Sequence, residues 1–403
     1  MMNPNQNSDS VEATATTIVN GNEQSLTEKY ISTNSDESAI LVENGGNATI
    51  SNAVIDKSSG NSTNTENSEF YGVNAGILVK SNSTATIKNA TISTNAKGSN
   101  AVFSTGTDSK IYISDSTITT EGESSSRGLD ATYGGYIEAD NVKISTKGGS
   151  CAALATDRGE GTIIAKNSNF ETNGAGSPVI YSTGNISITD SIGTANGAQT
   201  VVIEGKNSAT VTSSKLYATG TGNRGDVDIA GVMIYQSMSG DASVGTGNFT
   251  AKDSTLELIS SSKYYKTAPM FFITNTDAII NLENTKLNFG SNILISAKGT
   301  DQWGKSESNG GNVTLNAVNQ VMEGNIELDN ISTLKMNLSD NSSYEGTINS
   351  ENTAKNIALK IDSSSKIKLT GDSYVTSLED EDANYNNIDF NGFKLYVNGV
   401  AIN

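Results

Sequence analysis

A six-residue motif recurs nine times along this chain, and its regularity limits the folds that the chain can adopt. Each copy begins with an apolar or alanine anchor, has Asn, Asp or Ser two residues later, and is usually apolar again five residues after the anchor. The anchors are Ile50, Ile87, Ile113, Ala139, Ala165, Ile188, Val211, Ala251 and Leu282. Because so short a repeat cannot bury an apolar face by itself, successive copies must stack on one another.

The residues around each anchor alternate between apolar and polar, which predicts a strand with one buried face. A second short strand follows the Asn, Asp or Ser position, and a third precedes the anchor. The third strand begins near Val102, Val179, Val201, Val232 and Met270 in five of the copies. No helical pattern separates the strands. The sequence therefore predicts an all-β fold, a single-stranded right-handed parallel β-helix with three short strands per coil, about a dozen coils and a C-terminal cap.

The polar position of the motif predicts a tight turn between two strands. Asn and Asp tolerate a left-handed backbone better than other non-glycine residues. Stacked about 4.8 Å apart, such side chains can also form a ladder of hydrogen bonds along the axis. The predicted turn ladder consists of Asn52, Asn89, Asp115, Asn141, Asn167, Asp190, Ser213, Asp253 and Asn284.

The spacing of the motif suggests three segments within one elongated domain. Residues 1–30 are interpreted as a polar leader or N-terminal cap, residues 31–291 as regular coils, and residues 292–403 as irregular coils with the C-terminal cap. The polar start shows neither a signal peptide nor a membrane span, and we expect that an export signal and any anchor were trimmed. The single cysteine, Cys151, cannot form an intramolecular disulfide and is expected to be a buried small side chain.

Composition excludes several classes of function. A net charge of -18 and a pI near 4.4 argue against nucleic-acid binding, which requires a basic surface. The absence of histidine excludes Ser/His/Asp and Cys/His catalytic systems and histidine-containing zinc sites. One cysteine cannot make a thiolate metal site, and no glycine-rich phosphate loop precedes a helix. We expect no cofactor, while the sequence leaves binding of other metals undetermined.

The coil pattern, with its three strands and its Asn-bearing turn, resembles the right-handed parallel β-helix of the pectin-lyase-like superfold. The texture rich in Asn, Ser, Thr and Gly and the closing segment 387–399 are similar to adhesin-like bacterial surface proteins of that class. The resemblance covers about residues 30–403. It implies the fold but no single activity, because that superfold includes lyases, hydrolases, tailspikes and adhesins without catalytic activity.

Aromatic and charged residues concentrate on the third strand and its flanking loops. Sugar rings stack on aromatic faces while carboxylate and amide groups bind their hydroxyls, so these residues are candidates for glycan binding. The alternative is that the tyrosines cap the core or pack between coils. The candidates are Tyr133, Tyr136, Asp157, Arg158, Tyr181, Glu204, Tyr235, Tyr264, Tyr265 and Trp303, and Asp130 belongs to the same region. Arg224 to Asp226 spells a tripeptide that some integrins recognise, but so short a match is a weak signal and the segment is interpreted as a solvated turn.

Our leading functional hypothesis is a non-catalytic bacterial cell-surface or secreted protein, extracellular, whose loops bind a polysaccharide, another glycan or a host surface. The first alternative is a polysaccharide lyase or glycoside hydrolase acting in the groove along the third strand. The Asp-Asp and Gly-His-Gly elements of pectinases and the paired arginines of pectate lyases are absent, which favours the binding hypothesis. A second alternative is a structural spacer of a larger surface protein. Oligomeric state is left undetermined.

Overall fold

The computed structural model describes residues 9–220 and 230–403 and is a right-handed parallel β-helix. Each regular coil passes through three strands, which belong in turn to sheets A, B and C. Sheet A has 12 strands, sheet B has 14 and sheet C has 10, and the strands within each of these sheets pair in parallel. The predicted fold class is confirmed, including the three strands per coil and the number of coils.

The strands have the following bounds. Sheet A, which contains the predicted third strands, consists of Thr14–Asn20, Glu37–Glu43, Ile77–Val79, Val102–Thr105, Leu129–Thr132, Leu154–Thr156, Ile180–Ser182, Val201–Glu204, Val232–Tyr235, Phe271–Thr274, Ile293–Ala297 and Asn325–Leu328. Sheet B, which contains the anchors, consists of Glu23–Leu26, Asn47–Ser51, Thr84–Lys88, Lys110–Ser114, Tyr136–Asp140, Thr162–Lys166, Asn185–Thr189, Ser208–Thr212, Thr246–Lys252, Thr276–Glu283, Gly311–Val318, Thr333–Ser339, Asn356–Ile361 and Ser377–Asp380. Sheet C consists of Lys29–Ser32, Val54–Lys57, Thr91–Thr94, Thr117–Thr120, Lys143–Thr146, Asn169–Thr172, Ile192–Ala195, Lys215–Ala218, Thr255–Leu258 and Lys286–Asn288.

Two smaller sheets complete the C-terminal coils. Sheet D follows sheet C along the axis and consists of Val321–Glu323, Ser343–Gly346, Lys366–Leu369 and Ile388–Asp389. Sheet E consists of Ser373–Val375, Leu395–Val397 and Val400–Ala401, the last two of which pair antiparallel. This antiparallel turn ends the parallel stacking. At the other end, Thr14–Asn20 already pairs in parallel with Glu37–Glu43, so the coils begin before residue 31.

The polar turn between sheets B and C has the backbone that the motif requires. All nine residues of the turn ladder have φ between 44° and 53°, in the left-handed region. Asn319 and Asp340, two residues after Ala317 and Leu338, adopt the same conformation and extend the motif into the irregular coils. Hydrogen bonds between the side chains of the turn ladder link only some of the coils.

Side-chain hydrogen bonds between consecutive members of the turn ladder occur at three steps. They join Asn89 Nδ2 to Asn52 Oδ1 at 2.6 Å, Asn141 Nδ2 to Asp115 Oδ1 at 2.8 Å, and Asn284 Nδ2 to Asp253 Oδ1 at 2.7 Å. Asn167 donates instead to Asp140 Oδ1 at 2.8 Å.

A second ladder lies directly inside the turn and is more regular. Its members are Ser116, Ser168, Ser191, Ser214 and Ser254, all buried. Each Oγ accepts a backbone N–H from the preceding coil at 3.0 to 3.1 Å. Each hydroxyl also donates to the carbonyl two residues earlier at 2.7 to 2.8 Å. We call these five residues the inner serine ladder; it satisfies backbone donors that water cannot reach.

The core consists of stacked aliphatic side chains from the inner faces of the sheets. One column aligns Ile111, Ile137, Ile163 and Ile186 in register, and all four are fully buried. Burial of such columns removes apolar surface from water in every coil and holds the stack together. Cys151 is also fully buried, and burial raises the pKa of its thiol to about 11.

The expectation that the chain contains no helix is wrong. A helix spans Thr65–Tyr71 in an insertion between sheets C and A. Its seven residues are too few to show apolar periodicity, but its ends carry recognisable signals. Asn64 caps the start by accepting the N–H of Asn67 at 3.2 Å, and Gly72 ends it with φ of 70°. Within the described residues no helix is long and apolar enough to cross a membrane.

Candidate binding pocket on the outer face of sheet A

The outward positions of sheet A form one column along the solenoid axis. In register order they are Phe103, Asp130, Ala155, Tyr181, Val202, Met233 and Phe272. Most of the strands that carry them are buried on both faces. Insertions between coils therefore cover much of this sheet, which explains why strands such as Val201–Glu204 show no alternation of apolar and polar residues.

Two insertions cover opposite ends of the column and leave a pocket between them. The helix Thr65–Tyr71 lies at one end, where Thr132 Oγ1 donates to Phe70 O at 2.8 Å. At the other end the loop 298–311 brings Trp303 against Tyr235, with ring centroids 4.7 Å apart. The pocket between them has a volume of about 450 Å³ and is lined by residues from both insertions and from the intervening coils. Its size is in the range of small-ligand sites.

Arg127 is the centre of the polar end of the pocket. Its side chain is 6% exposed, with Nε 2.8 Å from Asp157 Oδ2 and Nη2 2.9 Å from Glu69 Oε1. Burial opposes the charged form, but the neighbouring carboxyl groups outweigh it and raise the pKa of Arg127, so the guanidinium remains charged. Among the residues that the structure describes, Nη1 of Arg127 is buried and has no hydrogen-bond partner.

Two buried aspartates lie beside this guanidinium. Asp157 N donates to Asp130 Oδ1 at 3.5 Å, and the side chains are 3% and 0% exposed respectively. Burial raises the pKa of Asp130 to about 6. Burial also raises the pKa of Asp157 well above its usual range, and the charge of Asp130 adds to that effect although Arg127 opposes it. The two carboxyl groups are coupled, and burial raises the pKa of both.

Glu204 organises the aromatic end of the pocket. It is 1% exposed, and its Oε2 accepts the hydroxyls of Tyr181 at 2.8 Å and Tyr235 at 3.1 Å. Its Oε1 accepts the hydroxyl of Ser237. Burial and the nearby Tyr235 and Glu204 groups raise the pKa of Tyr181 well above its usual range. These three hydrogen bonds hold the Glu204 side chain in place and fix the orientation of both tyrosine rings.

A second arginine connects the insertions at the rim of the pocket. Arg158 Nε lies 3.1 Å from Asp241 Oδ1, and its guanidinium lies 3.5 Å from the centroid of the Phe70 ring. Tyr133 stacks on Tyr71 with centroids 5.4 Å apart. Tyr133 has φ of 50°, which is unusual for an aromatic residue and shows that its position is strongly constrained by its neighbours.

The structure brings together seven of the ten candidate residues. Asp157, Tyr181, Glu204, Tyr235 and Trp303 line the pocket, while Tyr133 and Arg158 lie at its rim.

The other three candidates lie elsewhere. Tyr136 belongs to sheet B, where its hydroxyl donates to Glu138 Oε2 at 3.2 Å. Tyr264 and Tyr265 are partly buried against the main core, in the segment after Thr255–Leu258. Arg224 to Asp226 lies outside the described residues.

Several lining residues escaped the sequence analysis. Glu69 comes from the unexpected helix, and Val202, Met233 and Asp241 also line the pocket. A usable signal was present for Val202 and Met233, because runs of consecutive apolar residues indicate strands that are covered on both faces. Glu69 and Asp241 carry no comparable signal, since each is a single acidic residue in an insertion.

No protein-family model matches this chain, and no curated protein matches it. Within residues 9–220 and 230–403, no group of three or more Cys, Asp or Glu side chains is arranged to hold a metal ion. The function must therefore be argued from the chemistry of the pocket itself.

Proposed function

We propose that this protein is a non-catalytic, extracellular β-helix that binds a glycan in the pocket on the outer face of sheet A. The observation that carries the proposal is the meeting, in one pocket, of an aromatic pair and a set of buried polar groups. Tyr235 and Trp303 supply ring faces at one end, and Arg127 supplies an unsatisfied donor at the other.

This combination suits a sugar because a sugar has an apolar ring face and a polar edge. The ring face stacks on aromatic side chains, and the hydroxyls exchange hydrogen bonds with charged and amide groups. The pocket also extends across several strands of sheet A, which lie about 4.8 Å apart along the solenoid axis. An oligosaccharide lying along the column would contact several coils at once, so that weak contacts add together.

The amino-acid composition of the coil surface supports the proposal that the protein is extracellular. Only 17% of the residues are charged, and the exposed positions of sheets B and C are largely Ser, Thr, Asn and Lys. The net charge of -18 opposes self-association and nucleic-acid binding. We propose a glycan of a cell surface or extracellular matrix as the partner, with the β-helix as a rigid support.

Glycoside hydrolysis is a second candidate, favoured by the pair of Asp130 and Asp157. Burial raises the pKa of Asp157, as a general acid requires, and a second carboxyl group lies in the same pocket at Glu204. In this role Asp157 would protonate the leaving oxygen, and Glu204 would need to activate a water or attack the sugar. Three hydroxyl donors already occupy Glu204, which favours binding over catalysis.

The binding proposal is tested by screening wild type, Trp303→Ala and Tyr136→Ala against a broad set of glycans. We expect wild type to bind and Trp303→Ala to lose about tenfold in affinity, because one aromatic stacking contact contributes on the order of 1 kcal/mol. Tyr136→Ala, an equally aromatic position on sheet B, should bind as wild type does. Absence of binding by wild type would refute the proposal.

The catalytic alternative is tested on the glycans that bind. Wild type and Asp157→Asn are incubated with each ligand, and new reducing ends are measured. We expect no release by either protein. Release by wild type that is abolished in Asp157→Asn would show that the pocket is an active site.

A further inference from the structure

We infer that the pocket accepts uncharged sugar units and discriminates against uronic-acid units. This inference rests on the proposed glycan-binding function and assigns the class of ligand to the same pocket. It follows from the balance of charges around the pocket and from the donors that remain available on Arg127.

The charged groups around the pocket are predominantly acidic. Glu69, Glu204 and Asp241 line it as carboxylates, and Asp130 lies directly behind Asp157. Two guanidinium groups oppose them, Arg127 in the lining and Arg158 at the rim. A ligand carboxylate would enter a buried region that already holds an excess of negative charge, and the repulsion is strengthened by the exclusion of water.

Both guanidinium groups are already paired with protein carboxylates. Arg158 contacts Asp241 through Nε and Nη2. Arg127 contacts Asp157 through Nε and Glu69 through Nη2, and its Nη1 has no hydrogen-bond partner among the described residues. Arginine recognises a carboxylate best through two parallel N–H bonds from two nitrogens. To make that bidentate contact, a ligand carboxylate would have to compete with Glu69 for Nη2, whereas Nη1 alone suffices to donate to a hydroxyl oxygen.

The other polar groups of the pocket also suit hydroxyls. Gln199 is 6% exposed and lines the pocket, with its amide Nε2 3.8 Å from the weakly accepting Sδ of Met233. Ser239 lines the same region. An amide and a hydroxyl both donate and accept, so they match groups that do the same and give no advantage to an anion.

The experiment compares each uncharged oligosaccharide that binds with its counterpart oxidised at C6, in which hydroxymethyl groups have become carboxylates while the linkages are unchanged. Affinities are measured by titration calorimetry at about 0.05 M and about 1 M salt, because added salt screens charge repulsion. We expect the oxidised ligand to bind at least about tenfold more weakly at low salt, and we expect only part of this difference in affinity to be lost at high salt, because buried charges are screened less than exposed ones.

Two variants separate pocket charge from overall charge. Glu204→Gln removes one negative charge from the pocket while keeping an oxygen that accepts from the tyrosines. It should therefore reduce the difference in affinity between the uncharged and the oxidised ligand. Glu138→Gln removes the same charge from sheet B and should leave the difference unchanged. Equal or tighter binding of the oxidised ligand by wild type would overturn the inference while leaving glycan binding intact. Failure of both ligands and of the wider glycan set to bind would instead overturn the proposed function.

Discussion

At the scale of single residues, the turn between sheets B and C depends on a backbone conformation that few side chains tolerate. Asn141 and Asn167 have φ of 53° and 51°, and each side-chain amide bonds to an aspartate of the preceding coil or turn. Replacing either with Val should lower the free energy of unfolding by about 1 to 3 kcal/mol, because a β-branched residue is strained there and a hydrogen bond is lost. The measurement is chemical denaturation of each variant beside wild type.

A matched control for the turn variants lies two residues away in the chain. Asn169 is exposed in the sheet C strand Asn169–Thr172, where a β-branched residue is well tolerated. Asn169→Val should therefore change stability by no more than about 0.5 kcal/mol. If Asn167→Val and Asn169→Val lowered the free energy of unfolding equally, the proposed role of the left-handed turn would be contradicted.

Lys57 provides a pH-dependent test at the same scale. Its side chain is fully buried at the end of a sheet C strand, in register with Ser32 and Thr94, and Nζ donates to Ser32 Oγ at 3.3 Å. Burial lowers the pKa of Lys57 to about 8, even though nearby acidic groups oppose the shift. Between that pKa and the ordinary value of about 10.4, the unfolded chain binds more protons than the folded chain, so this group makes stability rise with pH.

The lysine prediction is measured as a difference between two proteins, so that all other titrations cancel. Lys57→Met keeps a long side chain without the charge. Relative to this variant, wild type should gain melting temperature as the pH rises from about 8 to about 10.4. If the difference in melting temperature between the two proteins stayed constant across that interval, burial would not destabilise the Lys57 ammonium group.

At the scale of elements, the inner serine ladder connects coils more regularly than the outer Asn and Asp side chains do. Ser191 Oγ accepts Ser168 N at 3.1 Å and donates to Thr189 O at 2.8 Å, while its own N donates to Ser214 Oγ at 3.0 Å. Ser191→Ala should cost about 1 to 3 kcal/mol of unfolding free energy, because it leaves a buried N–H without a partner. Ser187→Ala, on the outward face of the adjacent sheet B strand, should have little effect.

The same elements show what a sequence is able to predict. Positions such as Asn52 and Asn284 could be assigned because Asn, Asp or Ser satisfies the same local backbone constraint in each of the nine copies. The residues on the outward face of sheet A could not be assigned, because insertions bury Val202 and Met233. This burial removes the alternation of apolar and polar residues that distinguishes the two faces of a strand. The helix that supplies Glu69 escaped because a segment of seven residues carries caps but no periodicity. The pairing of Arg127 with Glu69 joins residues far apart in the chain, and no local pattern encodes such a contact.

At the scale of the whole molecule, stability and binding belong to different parts of the chain. In a solenoid each coil contacts mainly its neighbours, so stability is nearly a sum of coil and interface contributions. The pocket instead depends on insertions between coils, which contact the stack from outside. The loop 298–311 illustrates this separation, because sheet B resumes its parallel pairing with Thr276–Glu283 directly at Gly311–Val318.

Excision of the tip of this loop should therefore remove binding while leaving the coils folded. Replacing residues 301–307 with two glycines deletes Trp303 but keeps the strand that begins at Gly311. We expect far-ultraviolet circular dichroism to be unchanged and the melting temperature to fall by only a few degrees, since shortening a surface loop changes closure entropy by about 1 kcal/mol or less. Glycan affinity should fall at least as far as in Trp303→Ala. A broad, non-cooperative transition in the shortened protein would contradict the separation, because it would show that the loop is needed for the coils to stack.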